Sequence, residues 1–174
     1  MPGRPALTAA LVGTLAGIGA WIRLRRRYAV VRIDGASMEP TYRSGDRVLV
    51  HRVPVRRLAV GDVVVVERPD PAGNWWHPPL TGAVDRRPYL IKRVAALPGD
   101  RVPRDVRALR HASGQSVPQG SVVVLGDAST GSWDSRSIGY LPLSRVLGRV
   151  LRRLPEADRW RPDADVSAVC VHRR

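Results

Sequence analysis

Short valine-rich runs, each closed by a turn residue, dominate the chain from Tyr28 onward and leave little choice of fold. YAVVRI (28–33), RVLVHRV (47–53), DVVVVERP (62–69), YLIKRV (89–94) and SVVVLGD (121–127) carry the β-branched side chains that suit a pleated, half-buried surface. Gly, Pro and Asp separate them, as strand-ending turns require. Gly45-Asp46, Gly61-Asp62, Gly99-Asp100 and Gly126-Asp127 recur at these junctions and read as turns closing successive strands. Their spacing is irregular, so the pattern is not that of a repeat protein. The expectation is a mostly β domain.

Three segments follow from composition along the chain. Residues 6–22 are uncharged and largely apolar and lead into the basic cluster Arg23, Arg25, Arg26 and Arg27. This stretch is at the short end for a membrane-spanning helix. It is longer than the apolar region of a typical cleavable signal and has no clear A-x-A site before the arginines, so a retained anchor is favoured. Residues 1–27 are therefore assigned to an N-terminal anchor with its basic flank, 28–154 to the main β domain and 155–174 to a polar, loosely ordered tail. Within the domain, residues 69–88 are rich in Pro, Gly and Trp and read as a long surface loop. Trp75 and Trp76 suit either a membrane interface or a fold-over onto the core. The run LSRVLGRVLRRL (143–154) suits either a final strand or a basic amphipathic helix.

Charge and ligand chemistry exclude several function classes. The formal net charge is +14, yet the arginines are spread along the chain without a zinc finger, an RNP1-type segment or a helix-turn-helix pattern. An anionic membrane surface accounts for the charge as well as nucleic acid does. The single cysteine, Cys170, excludes an intramolecular disulfide, and the four histidines lack metal-ligand spacing. No metal and no cofactor is expected.

Among the 29 basic residues Lys92 is the only lysine. An ammonium can lose its proton when desolvated, whereas a guanidinium effectively cannot. A serine hydroxyl needs a neighbouring base before it becomes a nucleophile, and neither a histidine in a suggestive context nor a G-x-S-x-G elbow is present. Strand alternation puts Leu90, Lys92 and Val94 on one face and Arg93 on the other. A lysine on an apolar strand face is placed to lose part of its pKa of about 10.4 and serve as a base.

Four segments, in order, resemble the type I signal peptidase family. Gly35-Ala36-Ser37-Met38-Glu39-Pro40-Thr41 followed by Gly45-Asp46 is similar to its nucleophile box. Gly61-Asp62-Val63-Val64-Val65-Val66 is similar to the strand that follows. Ile91-Lys92-Arg93-Val94 with Leu97-Pro98-Gly99-Asp100 is similar to the lysine box. Gly126-Asp127 through Ser132-Trp133-Asp134-Ser135-Arg136 to Gly139 is similar to the last box. The resemblance implies a compact antiparallel β catalytic domain of signal peptidase type, with one N-terminal transmembrane helix. It implies Ser37 as nucleophile and Lys92 as general base, with Ser132 bonding and orienting the lysine amine and an Asp134–Arg136 ion pair holding the last box. Met38 and Ile91 are placed at the substrate pocket. Gly35 stands where some members carry a hydroxyl-bearing oxyanion donor, which leaves the backbone N–H of Ser37 as the main donor.

The implied partners are precursor proteins with signal or leader peptides and membrane lipid, with no specific nucleic acid, and the protein is expected to be a monomer. The implied location is the cell membrane, single-pass, with an extracytoplasmic catalytic domain. The positive-inside rule argues for the opposite orientation, because the arginine cluster follows the apolar segment. Three other readings stand beside this one. The first is a maturation protease dedicated to one precursor. The second is a self-cleaving repressor-type protease, which normally carries a DNA-binding domain where this chain has an apolar segment. The third is a non-catalytic basic module that binds nucleic acid or membrane.

Overall fold

The valine runs become strands at the places the sequence sets for them. A computed structural model describes residues 27–52, 57–80, 87–128, 131–155 and 166–169, together with Thr14, 17–19 and Trp21. The strands are β1 (Tyr28–Asp34), β2 (Arg47–His51), β3 (Val63–Glu67), β4 (Tyr89–Ala96), β5 (Ser121–Leu125), β6 (Leu141–Pro142), β7 (Val146–Leu154) and β8 (Val166–Val169). They form one sheet in the order β6-β5-β4-β3-β7-β2-β1-β8. Every pairing is antiparallel except β1 with β8.

β7 joins the two halves of the sheet, pairing with β3 on one side and β2 on the other. The run 143–154 thus resolves into a one-turn 3-10 helix, Leu143–Arg145, and this long strand. β8 approaches β4 as well as β1, so the sheet curls until its two halves face each other. That curl lets the loop after β1, which carries Ser37, reach Lys92 on β4.

β3 is buried along its whole length, which explains its unbroken valine run. Val31, Ile33, Met38, Val48, Val50, Val65, Tyr89 and Ile91 belong to one core cluster. Val64 and Val66 on β3 and Leu90 and Val94 on β4, at the alternate positions of those two strands, belong to a second with Val122 and Val124 of β5. Lys92 lies between Leu90 and Val94 in that alternation, opposite Val64 on β3.

Three of the four Gly-Asp pairs share one turn. In Arg43–Asp46, Ala59–Asp62 and Leu97–Asp100 the glycine takes a positive φ of 96°, 92° and 90°, as position three of a type II turn requires. The aspartate carboxylate then accepts the backbone N–H three residues back, at 2.9, 2.9 and 2.8 Å. Gly126-Asp127 departs from the pattern. Gly126 is absent from the positive-φ glycines, and Asp127 bonds across the domain instead of to its own turn. The expectation that this pair closes a turn like the others is therefore corrected: it belongs to the functional site.

Glu67, at the end of β3, is 1 % exposed and sits among Arg87 at 3.1 Å, Arg145 at 3.0 Å and His77 Nδ1 at 3.2 Å. Arg145 also donates to the carbonyls of His77 and Pro78, and its guanidinium lies 4.9 Å from the Trp75 ring centre. This one buried carboxylate pins the irregular segment after β3 to the sheet. The two tryptophans differ in burial. Trp75 packs on the second core cluster, while Trp76 is 77 % exposed with its indole N–H on Asp70.

The tail after Pro155, expected to be loosely ordered, contributes a strand, because β1 offers a sheet edge at Val31–Asp34 for Val166–Val169 to join. The anchor expected over residues 6–22 lies almost wholly outside the described residues. Among the described residues no helix is long and apolar enough to cross a membrane.

Replacing Glu67 by Ala leaves two buried guanidinium groups without their carboxylate. The expected cost is about 3–5 kcal/mol of stability in urea unfolding, the usual penalty for breaking a buried ion pair. A loss below about 1 kcal/mol would show that the carboxylate does not hold the loop.

Candidate active site

Ser37 sits just beyond β1, in a loop whose ends are clamped by backbone bonds between Ile33 and both Asp46 and Gly45. Gly35 precedes it with φ 99°, a left-handed conformation that favours glycine, and donates its N–H to the Ser44 hydroxyl at 3.2 Å. After Ser37 the chain makes a tight turn, with Tyr42 N–H on the Met38 carbonyl.

Lys92 reaches this loop from the middle of β4. Its Nζ lies 2.6 Å from Ser37 Oγ and donates to the Ile91 carbonyl at 2.9 Å. The lysine has no exposed surface, whereas Ser37 retains 9 %. Met38 and Ile91, expected at the substrate pocket, are both buried in the first core cluster.

The last sequence box closes over the serine from behind. Ser37's carbonyl accepts the N–H of Ala128 at 3.2 Å. A Cβ on Gly126 would stand 2.5 Å from that same carbonyl and against the Ser132 hydroxyl, so only glycine lets these three groups meet. Ser132 therefore lies beside the strip that touches the Ser37 backbone. Its hydroxyl donates to Asp134 Oδ2 at 2.6 Å, which leaves the oxygen lone pairs as acceptors.

Asp134 is fully buried and works chiefly as a hydrogen-bond acceptor. Besides Ser132 it accepts the N–H groups of Gly126 at 2.7 Å and Arg136 at 2.9 Å, capping the one-turn helix Ser135–Ile138. The ion pair expected between Asp134 and Arg136 is long, 3.7 Å. The closer contacts of the Arg136 guanidinium are the carbonyls of Gly126 at 2.9 Å and Ala128 at 3.2 Å. Arg136 thus braces the backbone strip that touches Ser37.

A second cluster, given no role by the sequence reading, ties the four boxes together. Arg93 makes a forked pair with Asp127, at 2.8 and 2.6 Å, and donates to the Gly61 carbonyl at 2.9 Å. Thr41 donates to the same carboxylate at 2.5 Å. Nucleophile loop, second box, lysine strand and last box meet around the Arg93–Asp127 pair. The arginine's hydrogen bonds, helped by that of Thr41, hold Asp127 below the usual carboxylate range. The available signal was the alternation that turns Arg93 away from Lys92. Its partner, far along the chain, was not marked.

This arrangement is a β domain with a serine hydroxyl pressed against a desolvated amine, and among the described residues no cluster of groups suited to a metal accompanies it. The chain matches the family described as signal peptidase, peptidase S26, over residues 7–111 and 104–154. It is 33 % identical over 150 residues to a probable signal peptidase I-1 of Synechocystis sp., covering 74 % of this chain and 71 % of that protein. It is 32 % identical to mitochondrial inner membrane protease subunit 1 of Xenopus tropicalis, covering 72 % and 68 %. It is 25 % identical to signal peptidase I of Bacillus caldolyticus, covering 68 % and 74 %. The protein is a peptidase. It belongs to the signal peptidase family, peptidase S26.

Because the Asp127 carboxyl is held low in the folded state, its pairing with Arg93 stabilises the fold above the unfolded pKa of about 3.9. That stability disappears as pH falls through the lowered folded value. Asp127→Asn should therefore unfold at lower urea than wild type at pH 6, with the gap narrowing towards pH 3. A gap that stays constant over this range would mean the pair contributes no proton-linked stability.

Proposed function

We propose that this peptidase removes signal or leader peptides from precursor proteins, with Ser37 as nucleophile and Lys92 as general base. The observation that carries the proposal is the 2.6 Å contact between Ser37 Oγ and the fully buried Lys92 amine. Burial disfavours an ammonium, and a neutral amine has the lone pair that a serine proton needs.

In the proposed cycle Oγ attacks the scissile carbonyl while Nζ takes the hydroxyl proton. The tetrahedral oxyanion forms beside the Ser37 N–H, and Nζ returns the proton to the departing amine. Water then cleaves the acyl-enzyme with the amine again acting as base. Ser132, with its hydroxyl proton committed to Asp134, offers its oxygen to the lysine amine and orients it. Arg136 and the Arg93–Asp127–Thr41 cluster keep the loop and strand in register.

A substrate of extended conformation with small residues before the cut suits a serine whose amine partner lies behind it in the core. An anchor over residues 6–22 would hold the domain at the membrane where such precursors emerge, with the domain on the extracytoplasmic side. Protease added to intact spheroplasts should digest the domain; full protection would reverse that orientation.

Incubation of the detergent-solubilised chain with secretory precursors tests the chemistry. Wild type should cleave, and Ser37→Ala should not. Lys92→Arg should lose at least ~10²-fold, the low end of a general-base contribution, because a guanidinium keeps its proton. Replacing all four histidines should leave substantial cleavage. A folded Lys92→Arg enzyme at near wild-type rate would overturn the assignment.

A further inference from the structure

β1 runs directly into the loop that carries Ser37, and strands lie along both of its sides. β2 pairs along one side, and β8 lies along the other, with Val166–Val169 against Val31–Asp34. This pairing is parallel, so β8 and β1 advance in the same direction, towards the nucleophile. Val169 stands beside Asp34. Asp34 comes three residues before Ser37, about 10 Å of extended chain. β8 also approaches β4, the strand of Lys92. It is therefore next to both elements that deliver the reacting groups.

An extended peptide gains affinity by adding to a sheet edge as a further strand, because the ladder satisfies its backbone groups. The side of β1 away from β2 offers such an edge, and it leads to Ser37. β8 already occupies it. A second peptide can add there only by displacing β8. The segment's own sequence, Val166-Ser167-Ala168-Val169, is uncharged and contains two small residues. That is the composition proposed above for a substrate ahead of its cut.

We propose that residues 166–169 are a built-in competitor, holding the place of an extended substrate beside Ser37 until a precursor displaces them. The inference rests on the reading of this chain as a peptidase for extended precursors. Strands that merely cover a sheet edge keep other chains from pairing with it. β8 does more than that, since it runs towards the nucleophile and reaches the lysine strand as well. Such a competitor needs little affinity of its own, because a short tether supplies an effective concentration on the order of millimolar. A groove free in only about a tenth of the molecules weakens the apparent affinity of an outside peptide ~tenfold.

Peptide binding to the detergent-solubilised full chain tests the proposal, in a Ser37→Ala background so that nothing is cleaved. Fluorescence anisotropy follows two labelled probes, a peptide with the sequence of residues 163–169 and a defined A-x-A peptide. The full chain is compared with its double variant Ser167→Pro/Ala168→Pro and with a chain ending at Pro155. Two consecutive prolines remove the N–H of whichever residue faces β1. β8 ends the strand order, so either change leaves the sequence of strands from β6 to β1 uninterrupted. Both probes should bind the two altered chains ~tenfold tighter than the full chain, and each should displace the other. With Ser37 restored, KM for the A-x-A peptide should fall by a similar factor in the altered chains while kcat stays the same. The same order of binding without cleavage supports the competitor and counts against the Ser–Lys chemistry alone. Equal affinity in all three chains, weaker binding once β8 is disrupted, no binding of either probe, or binding without mutual displacement would overturn the proposal.

Discussion

Keeping a lysine amine 2.6 Å from a serine hydroxyl with no exposed lysine surface sets demands on every neighbouring element. The amine must come from a strand covered on both faces, or water would restore the ammonium. β4 meets that demand because β3 and β5 flank it and because Leu90 and Val94 share the lysine's face. The hydroxyl must arrive from outside that core, on a loop stiff enough to hold a short contact without closing off the substrate. The curl of the sheet and the clamp at Ile33, Gly45 and Asp46 supply such a loop.

Around this contact the polar groups are arranged so that few of them touch it directly. Asp134 gathers three donors and caps a one-turn helix, while Arg136 ties down two carbonyls of the strip behind Ser37. Arg93, Asp127 and Thr41 lock together the elements that deliver the two reacting groups. Charged side chains thus stabilise the geometry from the periphery, and Asp127 also interacts with the Lys92 charge.

The pieces legible in the sequence were those with local causes. Valine runs fixed the strands, three Gly-Asp pairs fixed type II turns, and alternation put Lys92 on the apolar face. The Ser37–Lys92 contact was expected from chemistry and from the family resemblance, and the two groups do meet. Less legible were features whose partners lie far along the chain. Asp127 looks like the other turn aspartates until the fold brings Arg93 and Thr41 to it. Glu67 carries no sign in DVVVVERP that two arginines and a histidine will surround it. The ion pair expected of Asp134 and Arg136 is present but long, 3.7 Å, and each partner also makes shorter contacts to backbone groups that the sequence did not mark.

Since Lys92 is the only lysine, selective ¹³Cε-lysine labelling places a single side-chain lysine signal in the spectrum of the whole protein. Following that signal against pH reads the protonation of the proposed base without any substrate. The amine should titrate well below the free-lysine value of about 10.4, and its midpoint should move when Ser37 is replaced by Ala. A midpoint at or above that of free lysine would mean that the buried amine is a structural cation, and the Ser–Lys mechanism would be lost.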